Sequence, residues 1–491
     1  MMAYFTHLLS TGRTGLHKGL HKGLAGLSLL ACALPAAHAA GATTTLDGRL
    51  YGDVVVAQPV GPMRAFVVLY SGGDGWQGAD QDAAELLARN GALVVGVSTP
   101  RYAAKLAATQ ENKLGCHYLV DDAEAISHQL QREAHSTRYF LPILAGVGQG
   151  GLLAERSLAR APANTLSGAI VLDADAQLDA RFNPCVPDPT ITHVKGFPGF
   201  IETGAIAGGN RTPAVSKGRP GAAGAPVEAP LNAVVSATLN SAPAPRPFTK
   251  DTTEAQALLT LLKPHLSTPG VHDEEDLSDL PLIELPAAQP SDLLAIVISG
   301  DGGWRDLDKT IAESLQREGV PVVGIDALRY FWNAKTPEQT SHDVARVIQV
   351  YGARWHTRHI ALVGYSFGAS VMPFVYNRLP APMRAEVSQL SLLGFGPMAD
   401  FQIRVTGWLG LPASDKALAV LPETARVPTA LLQCFYGAEE TEEETACPAL
   451  ARRGVTVIKT AGGHHFGHDY DELAQAIVTR WRAQIGSPAR H

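Results

Sequence analysis

Short apolar runs that end in small or polar residues alternate along this chain with stretches whose apolar positions recur every three or four residues. In the C-terminal half the short runs predict strands over 293–299, 320–326, 359–364, 387–394, 429–436 and 455–460. The helical spacing predicts helices over 307–317, 339–351, 367–377 and 470–481. Runs apolar on both faces suit strands covered from both sides. Strand and helix in strict alternation predict an α/β architecture with a mostly parallel sheet. In such a sheet, ligands bind beyond the carboxyl ends of the strands.

The pattern occurs twice. Val67-Val-Leu-Tyr-Ser71-Gly-Gly-Asp-Gly-Trp76 lines up with Ile296-Val-Ile-Ser299-Gly-Asp-Gly-Gly-Trp304, and Val94-Val-Gly96 lines up with Val322-Val-Gly324 at the same offset of 228. Further on, Ala145-Gly146-Val-Gly148-Gln-Gly150 matches Val363-Gly364-Tyr-Ser366-Phe-Gly368. Matched strand ends in one order indicate a duplicated unit. The first copy is placed at 40–265, a polar and acidic linker at 266–278, and the second copy at 279–491. Between the copies, 203–230 is rich in Gly, Ala and Pro and reads as a long surface loop, and 251–265 has helical spacing.

Gly364-Tyr365-Ser366-Phe367-Gly368 stands where a strand pattern passes into a helix pattern. A nucleophilic serine at such a junction needs a very tight turn, and glycines on both sides leave room for the neighbouring backbone. This is the nucleophile elbow of an α/β-hydrolase. The first copy has Gly148 where the second has Ser366. The fold expected is therefore two tandem α/β-hydrolase-like domains with mostly parallel sheets. The first lacks the nucleophile, which leaves it a binding or packing role.

A serine nucleophile needs an oxyanion hole, a base and an acid. The glycine-rich turn Ser299-Gly300-Asp301-Gly302-Gly303-Trp304 follows the first strand of the second copy, so the N–H of Asp301 is the candidate donor beside that of Phe367. The Asp301 carboxylate could also help hold a cationic group. The base should follow the last strand, where Gly462-Gly463-His464-His465-Phe466 stands. His465, directly before the phenylalanine, is preferred as the base, with His464 the alternative. The acid should follow the strand at 429–436. Glu440, three residues past Gly437, is preferred there, with Glu439 the runner-up in a loop rich in glutamate. The order Ser, Glu, His is that of the α/β-hydrolases. No metal-ligand spacing is evident and no cofactor is expected.

Composition changes this picture in two ways. The chain has 491 residues, 46% hydrophobic and 18% charged, enough to build two real cores. The N-terminus carries Arg13, Lys18 and Lys22, then an apolar stretch over 24–34, then Ala37-His38-Ala39, the layout of a secretory signal peptide over 1–39. Leu29-Leu-Ala-Cys32 also resembles a lipoprotein box. Cleavage after Ala39 would take the formal charge from −7 to −10, which argues against nucleic acid as a partner. In an oxidising compartment the four remaining cysteines pair most economically within each copy, Cys116 with Cys185 and Cys434 with Cys447.

The chain resembles a known family, the bacterial virulence proteins VirJ and AcvB. The resemblance is carried by Ser299-Gly-Asp-Gly-Gly-Trp304-Arg-Asp-Leu-Asp308, the Ser366 elbow, Phe401 to Gly410 with its Trp408-Leu-Gly, and Gly463-His-His-Phe466. The two-copy layout is similar to the longer AcvB form, and the second copy alone to VirJ. The resemblance implies a periplasmic serine hydrolase acting on the aminoacyl ester of aminoacyl-phosphatidylglycerol in the outer leaflet of the membrane, lysyl rather than alanyl. It also implies an association with type IV secretion. The alternatives are a non-catalytic periplasmic factor assisting secretion and a generic secreted esterase or lipase.

Overall fold

In a computed structural model, the described residues are 43–109, 116–162, 164–185, 197–208, 242–267, 277–404 and 415–486. The signal sequence expected over 1–39, Cys32, most of the expected linker and Trp408-Leu409-Gly410 lie outside them.

Two sheets organise the described residues. The first copy supplies β1 (Thr43–Asp47), β2 (Asp53–Ala57), β3 (Ala65–Tyr70), β4 (Ala92–Val97), β5 (Ile143–Val147), β6 (Gly168–Leu172), β7 (Phe200–Ile206) and β8 (Arg246–Phe248). Their order is β1-β2-β4-β3-β5-β6-β7-β8, parallel from β4 onward, with an antiparallel pair of strands at one edge. The second copy supplies β9 (Leu282–Leu285), β10 (Leu293–Ile298), β11 (Val322–Ile325), β12 (His359–Tyr365) and β13 (Val387–Leu393). A short ribbon of β14 (Met398–Ala399) and β15 (Leu418–Ala419) follows, then β16 (Leu432–Gly437) and β17 (Thr456–Thr460). The main sheet runs β17-β16-β13-β12-β10-β11-β9, and only the β9 edge is antiparallel. β10 and β12 are buried throughout or nearly so because helices cover both faces. Both copies are thus α/β units built on mostly parallel sheets.

All six strands and four helices expected in the second copy form, with ends moved by a few residues. The predicted strand at 429–436 begins as a 3-10 turn, Thr429–Leu431, and the helix expected at 339–351 extends to Pro337–Trp355. Its early start follows from a cap: the Thr336 hydroxyl accepts from the Gln339 N–H, the Gln339 side chain accepts from the Thr336 N–H, and Pro337 occupies the first turn. The expected loop at 203–230 needs correction at its start. Thr203 to Ile206 continue β7, paired with β6 and β8. Residues 209–241 lie outside the described ones.

Matched residues in the two copies make matched contacts. A methyl group on Gly96 would lie 2.0 Å from the Trp76 ring, and one on Gly324 would lie 2.2 Å from the Trp304 ring. The shared Trp–Gly pair is therefore a close approach of an indole to a strand, which only glycine permits. Ser71 and Ser299 repeat a second device, accepting through their hydroxyls from the N–H groups of Thr99 and Ala327. The copies also share their strand order, the first adding β1 at the antiparallel edge.

Gly324→Ala is expected to lower stability by about 3 kcal/mol, the upper part of the range for an overpacked core. Trp304 is 1% exposed and packed in the core, so its ring can give way only if its neighbours shift. Gly352→Ala is the control. It lies in the helix Pro337–Trp355 with only Thr357 Oγ1 near, at 3.8 Å, and should be neutral or mildly stabilising. Chemical denaturation of both variants reads the difference.

Two disulfides, Cys116–Cys185 and Cys434–Cys447, join the residues paired on the sequence. Each closes within its own copy. Among the described residues, no helix is long and apolar enough to cross a membrane.

Candidate active site

The centre of the second sheet positions the nucleophile and the oxyanion turn, and β16 and β17 toward one edge carry the acid and base loops. β10 lies between β11 and β12, with Ile298 beside Gly364, so the turn after β10 and the turn after β12 emerge side by side. Ser366 stands on the second turn with φ 51° and ψ −110°, in the left-handed half of backbone space that a β-carbon disfavours. The flanking glycines explain how the chain tolerates this. A methyl group on Gly368 would lie 2.1 Å from the Ile298 carbonyl oxygen, and one on Gly364 would lie 2.5 Å from the Gly368 carbonyl carbon. The elbow is thus held by backbone packed directly on backbone.

The helix Phe367–Arg378 begins immediately after Ser366. Phe367 is its first residue, so its N–H has no acceptor within the helix and forms part of the positive end of the helix dipole. Across from it, the Cα of Gly300 is so near that a methyl group there would lie 3.7 Å from Ser366 Cβ. The turn carrying Asp301 therefore borders the serine, as the sequence reading required.

The carboxylate of Asp308 faces that turn. It is buried against the glycine-rich segment, where the backbone N–H groups of Arg305 and Gly300 favour its charged form. Burial pushes its carboxyl well above the ordinary range, against the pull of those N–H groups. In the first copy, Asp80 at the matching position accepts from the Gln77 N–H. An Asp four residues past the tryptophan thus faces the glycine-rich turn in both copies.

The base differs from the one preferred on the sequence. His464, not His465, stands between the other two groups. Its Nε2 lies 2.9 Å from Ser366 Oγ and its Nδ1 lies 2.8 Å from Glu440 Oε1. A base needs one ring nitrogen on the nucleophile and the other on a carboxylate, and His464 meets both conditions. His465 is exposed, with Nδ1 3.3 Å from the Tyr365 hydroxyl. The cause lies in the next residue: Phe466 sends its ring into the core with φ 53°, and His465 begins the 3-10 turn outside it. Gly394, with φ 60°, makes space for His464, since a methyl group there would lie 2.7 Å from the imidazole. The sequence reading missed Gly394, although a glycine directly after β13 was visible.

Glu440 is where the sequence placed it. Its side chain is 3% exposed, and Oε2 accepts from the Gly437 N–H at 2.7 Å while Oε1 faces His464. A carboxylate accepts only, so Nδ1 of His464 carries the proton and Nε2 is left to accept from Ser366. Glu439 is exposed and instead uses its backbone, donating to the Gly462 carbonyl. A methyl group on Gly437 would lie 2.1 Å from the Gly463 carbonyl oxygen, so the acid loop and the base loop touch backbone to backbone.

The first copy keeps the elbow without its chemistry. Gly148 has φ 57° and ψ −118°, close to the conformation of Ser366. Gly146 and Gly150 pack as tightly as their counterparts. Beside Gly148 stands Asp175, hydrogen-bonded to Gln149, and no hydroxyl or thiol occupies the nucleophile position. Among the described residues, no cluster of three or more His, Cys, Asp or Glu side chains could hold a metal ion.

A serine hydroxyl against a neutral imidazole, itself oriented by a buried carboxylate, is an arrangement suited to acyl transfer. The family model described as bacterial virulence protein (VirJ) matches residues 64–138 and 292–485, together more than half of the chain and one segment in each copy. No curated protein sequence matches the chain. Similar solved structures include the esterase Est1E of Butyrivibrio proteoclasticus with ferulic acid bound. It is 15% identical, covering 43% of this chain and 98% of its own, with a TM-score of 0.31. A Pyrococcus furiosus esterase is 16% identical, covering 45% and 96%, with a TM-score of 0.31. MenH from S. aureus is 13% identical, covering 42% and 99%, also with a TM-score of 0.31.

Proposed function

Because the chain belongs to the bacterial virulence protein (VirJ) family, we propose that it is a serine hydrolase of the periplasm that cleaves the aminoacyl ester of aminoacyl-phosphatidylglycerol. The observation that carries the reading is the continuous hydrogen-bonded line from Ser366 through His464 to Glu440. A non-catalytic binding factor has no use for a strained serine, a correctly oriented imidazole and a buried carboxylate together.

Each residue then has a role. Ser366 Oγ attacks the ester carbonyl as His464 Nε2 takes its proton. The N–H groups of Asp301 and Phe367 receive the developing oxyanion. As the tetrahedral intermediate collapses, His464 returns the proton to the departing phosphatidylglycerol oxygen. Water, deprotonated by the same nitrogen, then releases the free amino acid and restores the serine hydroxyl. Glu440 keeps the imidazole in the accepting tautomer and offsets the positive charge it gains.

The charges around the site favour a cationic aminoacyl group. Asp301 borders the serine, and Glu439, Glu442, Glu443 and Glu444 are exposed on the loop that carries Glu440. A lysyl group brings two ammonium charges to this acidic mouth, an alanyl group one. The two disulfides are compatible with an oxidising, extracytoplasmic location.

The test is release of free amino acid from phosphatidylglycerol vesicles carrying lysyl- or alanyl-phosphatidylglycerol. Lysine release by the wild type, faster than alanine release, is the expected result. Hydrolysis of small esters with neither amino acid released would leave a generic esterase. No turnover of any ester would overturn the enzymatic reading altogether.

A further inference from the structure

The two copies lie within one compact unit, Ala40–His491, and one helix of the first copy reaches the active-site turns of the second. That helix, Leu119–Glu133, carries Glu124, His128 and Arg132 four residues apart, which places them along one face. Glu124 pairs with Arg305. His128 is buried beside Tyr139 and Trp332, with ring centroids 4.9 and 6.1 Å away. Arg132 stacks 3.5 Å over the Trp332 ring and donates to the carbonyls of Trp332 and Ile403. Three polar side chains on one face would ordinarily mark a solvated surface, yet here each meets the other copy.

Arg305 is the residue directly after Trp304, at the end of the oxyanion turn. Its backbone N–H and that of Gly300 face the buried Asp308 carboxylate, and Gly300 lies against Ser366. A pull on the Arg305 side chain therefore acts on a short rigid segment that ends at Asp301. Glu124 is 7% exposed, and the Arg305 side chain is one-third exposed. Burial pushes the Glu124 carboxyl up to about 7, and the Arg305 guanidinium pulls it back. Removing one member of a buried ion pair leaves the other desolvated and free to move. The first copy has Gln77 at the position matching Arg305, so the pair has no counterpart on the other turn.

We infer that Glu124 of the first copy is a positioning residue for the oxyanion turn of the second, acting through Arg305 to fix where the Asp301 N–H points. This rests on the serine-hydrolase reading of the site above. It gives the nucleophile-free copy a definite task, since Arg305 of the second copy takes its ion-pair partner from the first.

The experiment measures p-nitrophenyl acetate hydrolysis by the full chain and by Glu124→Gln, Arg305→Gln, the double variant and Asn333→Ala. Asn333 donates to the Thr137 carbonyl, another bond between the copies, but leads to no active-site turn. Glu124→Gln is expected to lower kcat roughly 10- to 100-fold with KM nearly unchanged, less than or comparable to losing an oxyanion donor outright. The double variant should be no slower than Arg305→Gln alone, and Asn333→Ala should keep wild-type kcat. Glu124→Asp, which keeps the charge on a shorter arm, should fall between wild type and Glu124→Gln, and it serves as the test if Glu124→Gln does not fold. Unchanged kcat in the folded variants would overturn the inference while leaving the hydrolase intact. A loss in Glu124→Gln that adds fully to that of Arg305→Gln would overturn it equally. A wild type inactive on every ester would instead remove the hydrolase reading on which it stands.

Discussion

Ser366→Ala and His464→Ala are each expected to lower kcat for ester hydrolysis by about 10⁴-fold or more, and the double variant to fall little further. The two side chains act as one unit: without the imidazole the hydroxyl keeps its proton, and without the hydroxyl the imidazole has nothing to activate. Residual turnover would come from the oxyanion turn and from binding, which neither change removes. His465→Ala is the informative comparison. Its ring is exposed and its Nδ1 lies beside the Tyr365 hydroxyl, so kcat should stay within about threefold of wild type, as for surface changes away from the reacting atoms. The measurement is steady-state hydrolysis by the wild type and all four variants, with circular dichroism to confirm that each is folded. Loss in His465→Ala with activity retained in His464→Ala would move the base by one residue and show that the loop rearranges on binding substrate.

The choice between two adjacent histidines shows where sequence reasoning stops. That a base would follow the last strand was legible, because the fold places it there. Which of two neighbours faces the serine depends on how Phe466 enters the core and on the space left by Gly394, which follows β13 far away in sequence. Glu440 was legible for the opposite reason. Its position is set locally, by a tight turn in which its own side chain accepts from the Gly437 N–H. The strands of the second copy were legible from their unbroken apolar runs, and the disulfides from the division of four cysteines between two copies. The edge strand β9, at Leu282–Leu285, was not, because one short half-exposed strand carries little pattern of its own. The ion pair of Glu124 and Arg305 was invisible for the same reason as the histidine choice: it joins residues 181 apart, and charge at helical spacing reads as a solvated face until the partner is known.

Glu440→Gln is expected to lower kcat by about 10³- to 10⁴-fold, nearly as much as losing the base itself. The Glu440 carboxylate accepts two hydrogen bonds at once, from the Gly437 N–H and from His464 Nδ1. Glutamine offers a single oxygen, and its NH₂ must then point at one of the two donors. If the oxygen stays on Gly437, the amide donates toward Nδ1 and drives the proton to Nε2. The imidazole then presents an N–H to Ser366 and cannot take its proton. If the oxygen turns to His464, the Gly437 turn loses its anchor, and with it the backbone contact between Gly437 and Gly463 that brings acid and base together. Either outcome removes the base without removing the histidine. Glu439→Gln should change kcat by less than about threefold, because its side chain is exposed and the backbone bond from its N–H to the Gly462 carbonyl survives the substitution. Glu440→Asp keeps both acceptors on a shorter arm and should retain more activity than Glu440→Gln, an ordering that a purely structural role for this loop would not produce. Full activity in Glu440→Gln together with loss in Glu439→Gln would mean that the neighbouring carboxylate swings in to orient His464 when substrate is bound.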